Sequence, residues 1–147
     1  MTENFKIFVE KFKITDLLIV ETDFWKWSVR PLQCTVGAGI LSLKRPAEQM
    51  LELTSEEGAD FSKIVRIIER TLYSAFKMDK MNYLMLMMVD IHIHFHVIPR
   101  YSQTKQFEGI IYEDKSWPKP PVLDATVSEM NDLISIRDYL KSQLHLS

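Results

Sequence analysis

Asp90-Ile91-His92-Ile93-His94-Phe95-His96-Val97-Ile98-Pro99-Arg100-Tyr101 carries three of the chain's four histidines within five residues. Strict alternation of polar and apolar side chains predicts a strand over Ile91–Ile98, because successive strand residues point to opposite faces. His92, His94 and His96 then share one face, while Ile91, Ile93, Phe95 and Val97 take the other. Neighbouring imidazoles on that face are about 6.7 Å apart at their Cα atoms, two strand steps of about 3.3 Å each. The apolar side is ordinary core. A face of three imidazoles needs another explanation, since burying polar rings without partners is costly.

Upstream, Tyr83–Val89 is continuously apolar, which predicts a strand covered on both faces, with Asp90 as a brief interruption and Pro99 as the end of the histidine strand. Residues 54 to 77 predict a helix. Thr54 and Glu57 have capping-box spacing, and Phe61, Ile64, Val65, Ile68, Leu72 and Phe76 form one apolar stripe. Trp25, Trp27 and Val29 alternate with Lys26, Ser28 and Arg30, which predicts a strand broken at Pro31. Gly37 and Gly39 mark a turn into a second strand over Ile40–Lys44, stopped by Pro46. Residues 1 to 23 place Phe5, Phe8, Val9, Phe12 and Leu17 at rough helical spacing, which predicts a short amphipathic helix there. Residues 102 to 121 read as loop, with a short strand at Gly109–Tyr112, and a last helix is expected from Thr126 to Leu144 with Met130, Leu133, Ile134 and Leu140 inward. The sum is an α+β fold, an antiparallel meander sheet with a long helix and shorter helices on one side, in a single domain over 1–147.

Composition narrows the function classes. Lys plus Arg at 18 against Asp plus Glu at 20 gives a net charge of −2, which argues against a nucleic-acid polymer as partner. The 46% apolar and 26% charged shares are those of a globular protein. No apolar run approaches the roughly 20 residues that span a bilayer, so no membrane partner is expected. One cysteine, Cys34, excludes an internal disulfide and fits a reducing, cytoplasmic setting.

Three chemistries suit the histidine face. The rings can be hydrogen-bonded histidines on an edge strand. They can be metal ligands, although three ligands on one short strand converge poorly on a single ion and no Cys, Glu or further His lies close in sequence. Or one imidazole attacks phosphorus while its neighbours stabilise charge and leaving group.

His92-Ile-His94-Phe-His96-Val97-Ile98 resembles the signature of the histidine triad family, His-φ-His-φ-His-φ-φ with φ apolar, and Pro99-Arg100 continues it. Ile40-Leu-Ser-Leu-Lys-Arg45 and Leu53-Thr-Ser-Glu-Glu57 look like the family's basic strand end and long-helix start, so the resemblance covers about residues 24 to 101. It implies a homodimer without metal or cofactor that hydrolyses or transfers a nucleotidyl group. The implied substrate is a purine mononucleotide conjugate, such as a dinucleoside polyphosphate or phosphoramidate. By position it makes His94 the nucleophile, His96 the donor to the phosphate or departing group, and His92 the residue that positions the phosphate or helps fix the ring orientation of His94. A protonated neighbouring imidazole would supply that donation. The alternatives are a non-catalytic nucleotide-binding module and a histidine metalloprotein.

Lys44, Arg45, Asp90, Arg100 and Trp27 are the candidate substrate-site residues: Lys44, Arg45 and Arg100 as phosphate contacts, Asp90 as a poor phosphate ligand that could orient a histidine, and Trp27 as a stacking platform. Two departures from the family pattern bear on substrate class rather than fold. Lys44-Arg45 is followed by Pro46-Ala47 where many members have His, and Met87-Met88-Val89-Asp90 stands where many have Asn or Gly-Gln. Met78, Met81, Met85, Met87 and Met88 read as adaptable core filling rather than a soft-metal site. Cys34 has no base near it in sequence, and His145 sits at the tail.

Overall fold

The computed structural model describes residues 2–146. Its elements are α1 (Glu3–Lys11), β1 (Leu18–Glu21), β2 (Trp25–Val29), β3 (Gly39–Leu43), a 3-10 turn (Met50–Glu52), α2 (Ser55–Phe76), β4 (Lys80–Leu84), β5 (His94–Arg100), β6 (Lys105–Phe107), β7 (Ile110–Tyr112) and α3 (Met130–Ser142). The main sheet has the order β1-β2-β3-β5-β4, antiparallel throughout, and β6 and β7 form a separate hairpin. No helix among the described residues is long and apolar enough to cross a membrane.

α2 begins where its capping box predicts. The Thr54 hydroxyl accepts from the Glu57 N–H at 3.1 Å, and the Glu57 carboxylate accepts from the Thr54 N–H at 2.9 Å. Ile64, Ile68, Leu72 and Phe76 lay its apolar stripe on Trp25, Trp27, Val29, Leu41, Leu43 and Val97, and α3 adds Leu133, Ile136 and Leu140. Each such side chain contributes about 1.5–3 kcal/mol when fully removed from water. Gly39 is required by that packing, since a Cβ there would sit 2.7 Å from Nε1 of Trp27 and 2.8 Å from the Ser28 carbonyl.

Four expectations need correction. The short amphipathic helix expected within 1–23 is present as α1 but stops at Lys11, short of Leu17: Lys13 turns the chain with φ of 53°, and Leu18–Glu21 is an edge strand. α1 lies on the opposite side of the sheet from α2 and α3, so helices cover both faces. The apolar run Tyr83–Val89 is strand only to Leu84. A continuous apolar run carries no period to separate strand from connection, and the chain must turn back after Leu84 to pair β4 with β5. Met78, Met81, Met85 and Met87 do meet the core, but Met88 and Val89 are 84% and 82% exposed. Finally, β5 starts at His94, leaving His92 in a bend, and it runs on through Pro99, beyond the last β3 partner of Val97.

Candidate functional site

The pairing register builds one face. His94 lies beside Ser42 and His96 beside Ile40 on β3, Ile40 lies beside Ser28 on β2, and Leu84 of β4 flanks His96. His92 reaches the same region through the bend, where Ile93 exchanges backbone bonds with Ala47 and Leu43.

Each imidazole has a partner that dictates its tautomer. Nε2 of His92 donates to the Leu43 carbonyl at 2.8 Å, because a carbonyl only accepts, so its Nδ1 holds a lone pair that is buried without a partner. Nδ1 of His94 likewise donates to the His92 carbonyl at 2.6 Å, which leaves Nε2 of His94 as a free lone pair. His96 is set the other way. Nε of Arg30 donates to its Nδ1 at 3.1 Å, and an arginine never accepts, so the His96 proton sits on Nε2. The His94 and His96 rings meet edge to face at 5.1 Å between centroids. One ring thus offers a nucleophilic nitrogen, and its neighbour offers an N–H.

α1 covers this face. Phe5 packs on His92 at 4.6 Å, Phe8 on His92 and His94 at 4.9 Å each, and Phe12 on His94 and His96 at 5.8 and 6.2 Å between ring centroids. His92, His94 and His96 are consequently only 2%, 2% and 8% exposed. The polar ties holding α1 down are light: Lys11 to Asp90 at 2.8 Å, and Asn4 to Glu48 at 3.5 Å. Burial pushes all three rings below the usual imidazole range. His92 falls to about 4, with His94 adding to the effect, and His96 falls to about 4 with the Arg30 charge as the next cause. The neighbour of His94 is therefore a neutral donor, not the protonated imidazole expected from sequence.

The five candidate substrate contacts lie elsewhere or are already engaged. Lys44 turns to Glu21 and the Thr22 carbonyl, both at 3.2 Å. Arg45 forks onto Glu57 at 2.7 and 2.9 Å and onto the Glu52 carbonyl, which holds the Glu57 carboxyl down to about 2. Asp90 binds Lys11, close enough to His94 and His96 for its charge to favour their protonated forms. Arg100 is buried and spent on Asp114, Asn82, Ser116 and the Lys119 carbonyl. Trp27 sits fully buried on the α2 side of the sheet, where no base can stack on it.

Arg30 and the α1 phenylalanines are the site residues that sequence reasoning missed. Arg30 sits at a strand end before Pro31 and reads as a solvated charge, yet it is 5% exposed and lies beside His96. The spacing of Phe5, Phe8 and Phe12 signals a helix with an apolar face, but nothing local says which surface that face will cover.

Among the described residues no group of three His, Cys, Asp or Glu side chains is arranged to hold a metal ion. No protein-family model and no curated protein matches the sequence. Solved structures do match. A hypothetical histidine triad nucleotide-binding protein from Sulfolobus tokodaii aligns over 97% of this chain and 91% of its own, at 17% identity and a TM-score of 0.68. A Hit-like protein involved in cell-cycle regulation from Bartonella henselae, crystallised with an unknown ligand, aligns over 95% and 94%, at 19% identity and a TM-score of 0.69. A zinc-bound histidine triad family protein from Mycobacterium smegmatis aligns over 86% and 84%, at 15% identity and a TM-score of 0.59. Likeness at such identities is likeness of fold, and over nearly its whole length this chain has the fold of solved histidine triad proteins.

Proposed function

We propose that the protein is a nucleotidyl hydrolase or transferase acting on a nucleoside phosphate conjugate through His94. The observation that carries this reading is the tautomer of His94. Its Nδ1–H is committed to the His92 carbonyl, so Nε2 keeps its lone pair, and the His96 ring, which carries its proton on Nε2, lies 5.1 Å away between centroids. A neutral imidazole nitrogen so held is a competent nucleophile. It attacks the α-phosphorus, and the bond from phosphorus to the leaving group breaks with its electron pair. His96 donates a hydrogen bond to a phosphoryl oxygen as charge builds there. Water or another acceptor then attacks the same phosphorus, breaks the P–N bond and releases the nucleotide. α1 must leave the face for substrate to arrive.

Incubation with a slowly hydrolysed nucleotide conjugate, followed by intact-mass analysis, tests the reading. A nucleotidyl adduct is expected on the wild-type chain and not on His94→Ala; equal labelling of both would overturn it.

One observation favours a second reading, a nucleotide-binding module without turnover: Phe5, Phe8 and Phe12 occupy the space against the imidazoles. Turnover abolished by His94→Ala excludes it, whereas mononucleotide binding with no adduct under any condition supports it. Homodimerisation belongs to the main reading. Its support is now the unpaired outer edges of β1 and β4, since Trp25 and Trp27 are buried and offer no spare apolar surface. Light scattering that finds a single chain at micromolar concentration would remove it. The same reading places the protein in the cytoplasm, where a lone thiol such as Cys34 stays reduced.

A further inference from the structure

Arg30 is a buried cation whose hydrogen-bond partners are all neutral. Nε serves Nδ1 of His96 at 3.1 Å, and one terminal nitrogen serves the Leu32 and Leu123 carbonyls at 3.0 and 2.9 Å and Sγ of Cys34 at 3.8 Å. It projects from the end of β2 and reaches His96 across β3, whose neighbouring residue Ala38 pairs with it through the Arg30 N–H. No carboxylate is hydrogen-bonded to it, and Asp124 acts on it only through its charge, so the buried guanidinium depends on its donors being well used. Here the donor nearest the triad is used to occupy the one nitrogen through which His96 could gain a second proton.

We infer that Arg30 is a positioning residue that fixes His96 as a neutral Nε2–H donor and so selects substrates whose leaving group departs without being protonated. This rests on the proposed role of His94. A general acid must hand over a proton and stay stable. If His96 gave up its Nε2 proton while Nδ1 faced the Arg30 Nε–H, an imidazolate would result, because a guanidinium does not yield its proton. His96 can therefore stabilise phosphoryl charge but cannot protonate an amine. A nucleoside di- or triphosphate leaving from a dinucleoside polyphosphate carries its electron pair away on a bridging oxygen and needs no proton. The alkylamine of a nucleoside phosphoramidate does need one. The other charged groups facing His96 are His94, Asp90 and Lys11; Asp90 alone favours its protonation, and Lys11 neutralises that carboxylate at 2.8 Å.

Two measurements on the full chain test this. Long-range proton–nitrogen NMR of the histidine rings reads the tautomer directly. Wild type is expected to show His96 protonated at Nε2 only, Arg30→Lys to keep that pattern, and Arg30→Met to lose it and titrate above wild type, though still held down by burial. His92 and His94, held by carbonyls, serve as internal controls in each spectrum. Kinetics with a dinucleoside polyphosphate and an alkylamine phosphoramidate then read selectivity. Wild type is expected to favour the polyphosphate by about 100-fold or more, the scale of a missing general acid, with Arg30→Met narrowing the ratio and gaining an acid limb in the phosphoramidate pH profile. A wild-type preference for the phosphoramidate, or an Nδ1–H tautomer in the wild-type spectrum, would overturn the inference. If Arg30→Met fails to fold, the wild-type spectrum and the Arg30→Lys ratio still decide it. Absence of turnover on both substrates would instead sink the His94 reading and the selectivity drawn from it, while the spectra alone would decide the positioning role of Arg30.

Discussion

The Phe8 ring of α1 stands 4.9 Å from the centroids of both His92 and His94, so the helix that closes the triad face does so with one aromatic side chain wedged over two imidazoles. Packing and access are therefore opposed at one residue. The outer tie of this helix is the Lys11–Asp90 ion pair, with Lys11 largely exposed. Lys11→Met should lower global stability by no more than about 1 kcal/mol, the upper range for an exposed pair. Amide exchange of residues 3–11 should accelerate while that of α2 stays unchanged. Exchange measured by mass spectrometry checks this, and uniform protection in both helices would show that α1 does not open separately.

Acid should weaken the fold in a defined window. His92 and His96 are pushed down to about 4 by burial, whereas an unfolded imidazole titrates near 6.5, so between those values the unfolded chain binds more protons. Stability is then full above about pH 6.5, falls progressively toward pH 4 and levels off below it. The triad's share is on the order of several kcal/mol, reduced to the extent that α1 lifts and rehydrates the rings. Urea unfolding at pH 7, 5.5 and 4.5 measures the loss, and a flat profile over this range would contradict the buried, neutral triad.

Arg45 is expected to matter for folding and not for ligand. Its fork holds the buried Glu57 carboxylate, which also completes the α2 cap. Arg45→Met should cost about 1.5–3 kcal/mol, the worth of hydrogen bonds to a charged group, and leave nucleotide affinity unchanged. Because the Glu57 carboxyl is held down to about 2, its contribution is present above pH 4.5 and lost as pH falls toward 2, a window below that of the histidines. Equilibrium unfolding and nucleotide titration of the same variant separate the two effects.

Arg100 and Asp114 form a pair with both side chains almost wholly buried, 2.7 Å from Nε to Oδ2. Removing one partner strands the other charge, so Asp114→Ala should destabilise by about 3–5 kcal/mol. Thermal or denaturant unfolding checks the size, and a loss below 1 kcal/mol would mean that Asn82 and the Lys119 carbonyl suffice for Arg100.

How much could be read from the sequence follows from how local each signal is. The period of two at His94–His96, the capping box at Thr54 and the stripe from Ile64 to Phe76 are encoded within a few residues, and they placed the triad face and the long helix. The run Tyr83–Val89 carried no period, so its division into β4 and an exposed loop depended on where β5 lay. Lys44, Arg45 and Arg100 have the right charge for phosphate, but charge does not reveal that Glu21, Glu57 and Asp114 are waiting for them across the fold. Arg30 was hidden for the converse reason. Its value comes wholly from a residue 66 positions away on another strand.

The stretch between β7 and α3 has a reach that its irregular backbone conceals. Its Leu123 carbonyl grips Arg30, its Asp114, Ser116 and Lys119 grip Arg100, and Val127 and Ser128 hold the turn at Pro31 and Leu32. Arg30 directly follows β2, and Arg100 ends β5, the strand that carries His94 and His96. Substitutions in residues 114–128 could thus retune the protonation of His96 from a distance, making this segment a dial for leaving-group preference that natural variation could turn without altering a single histidine.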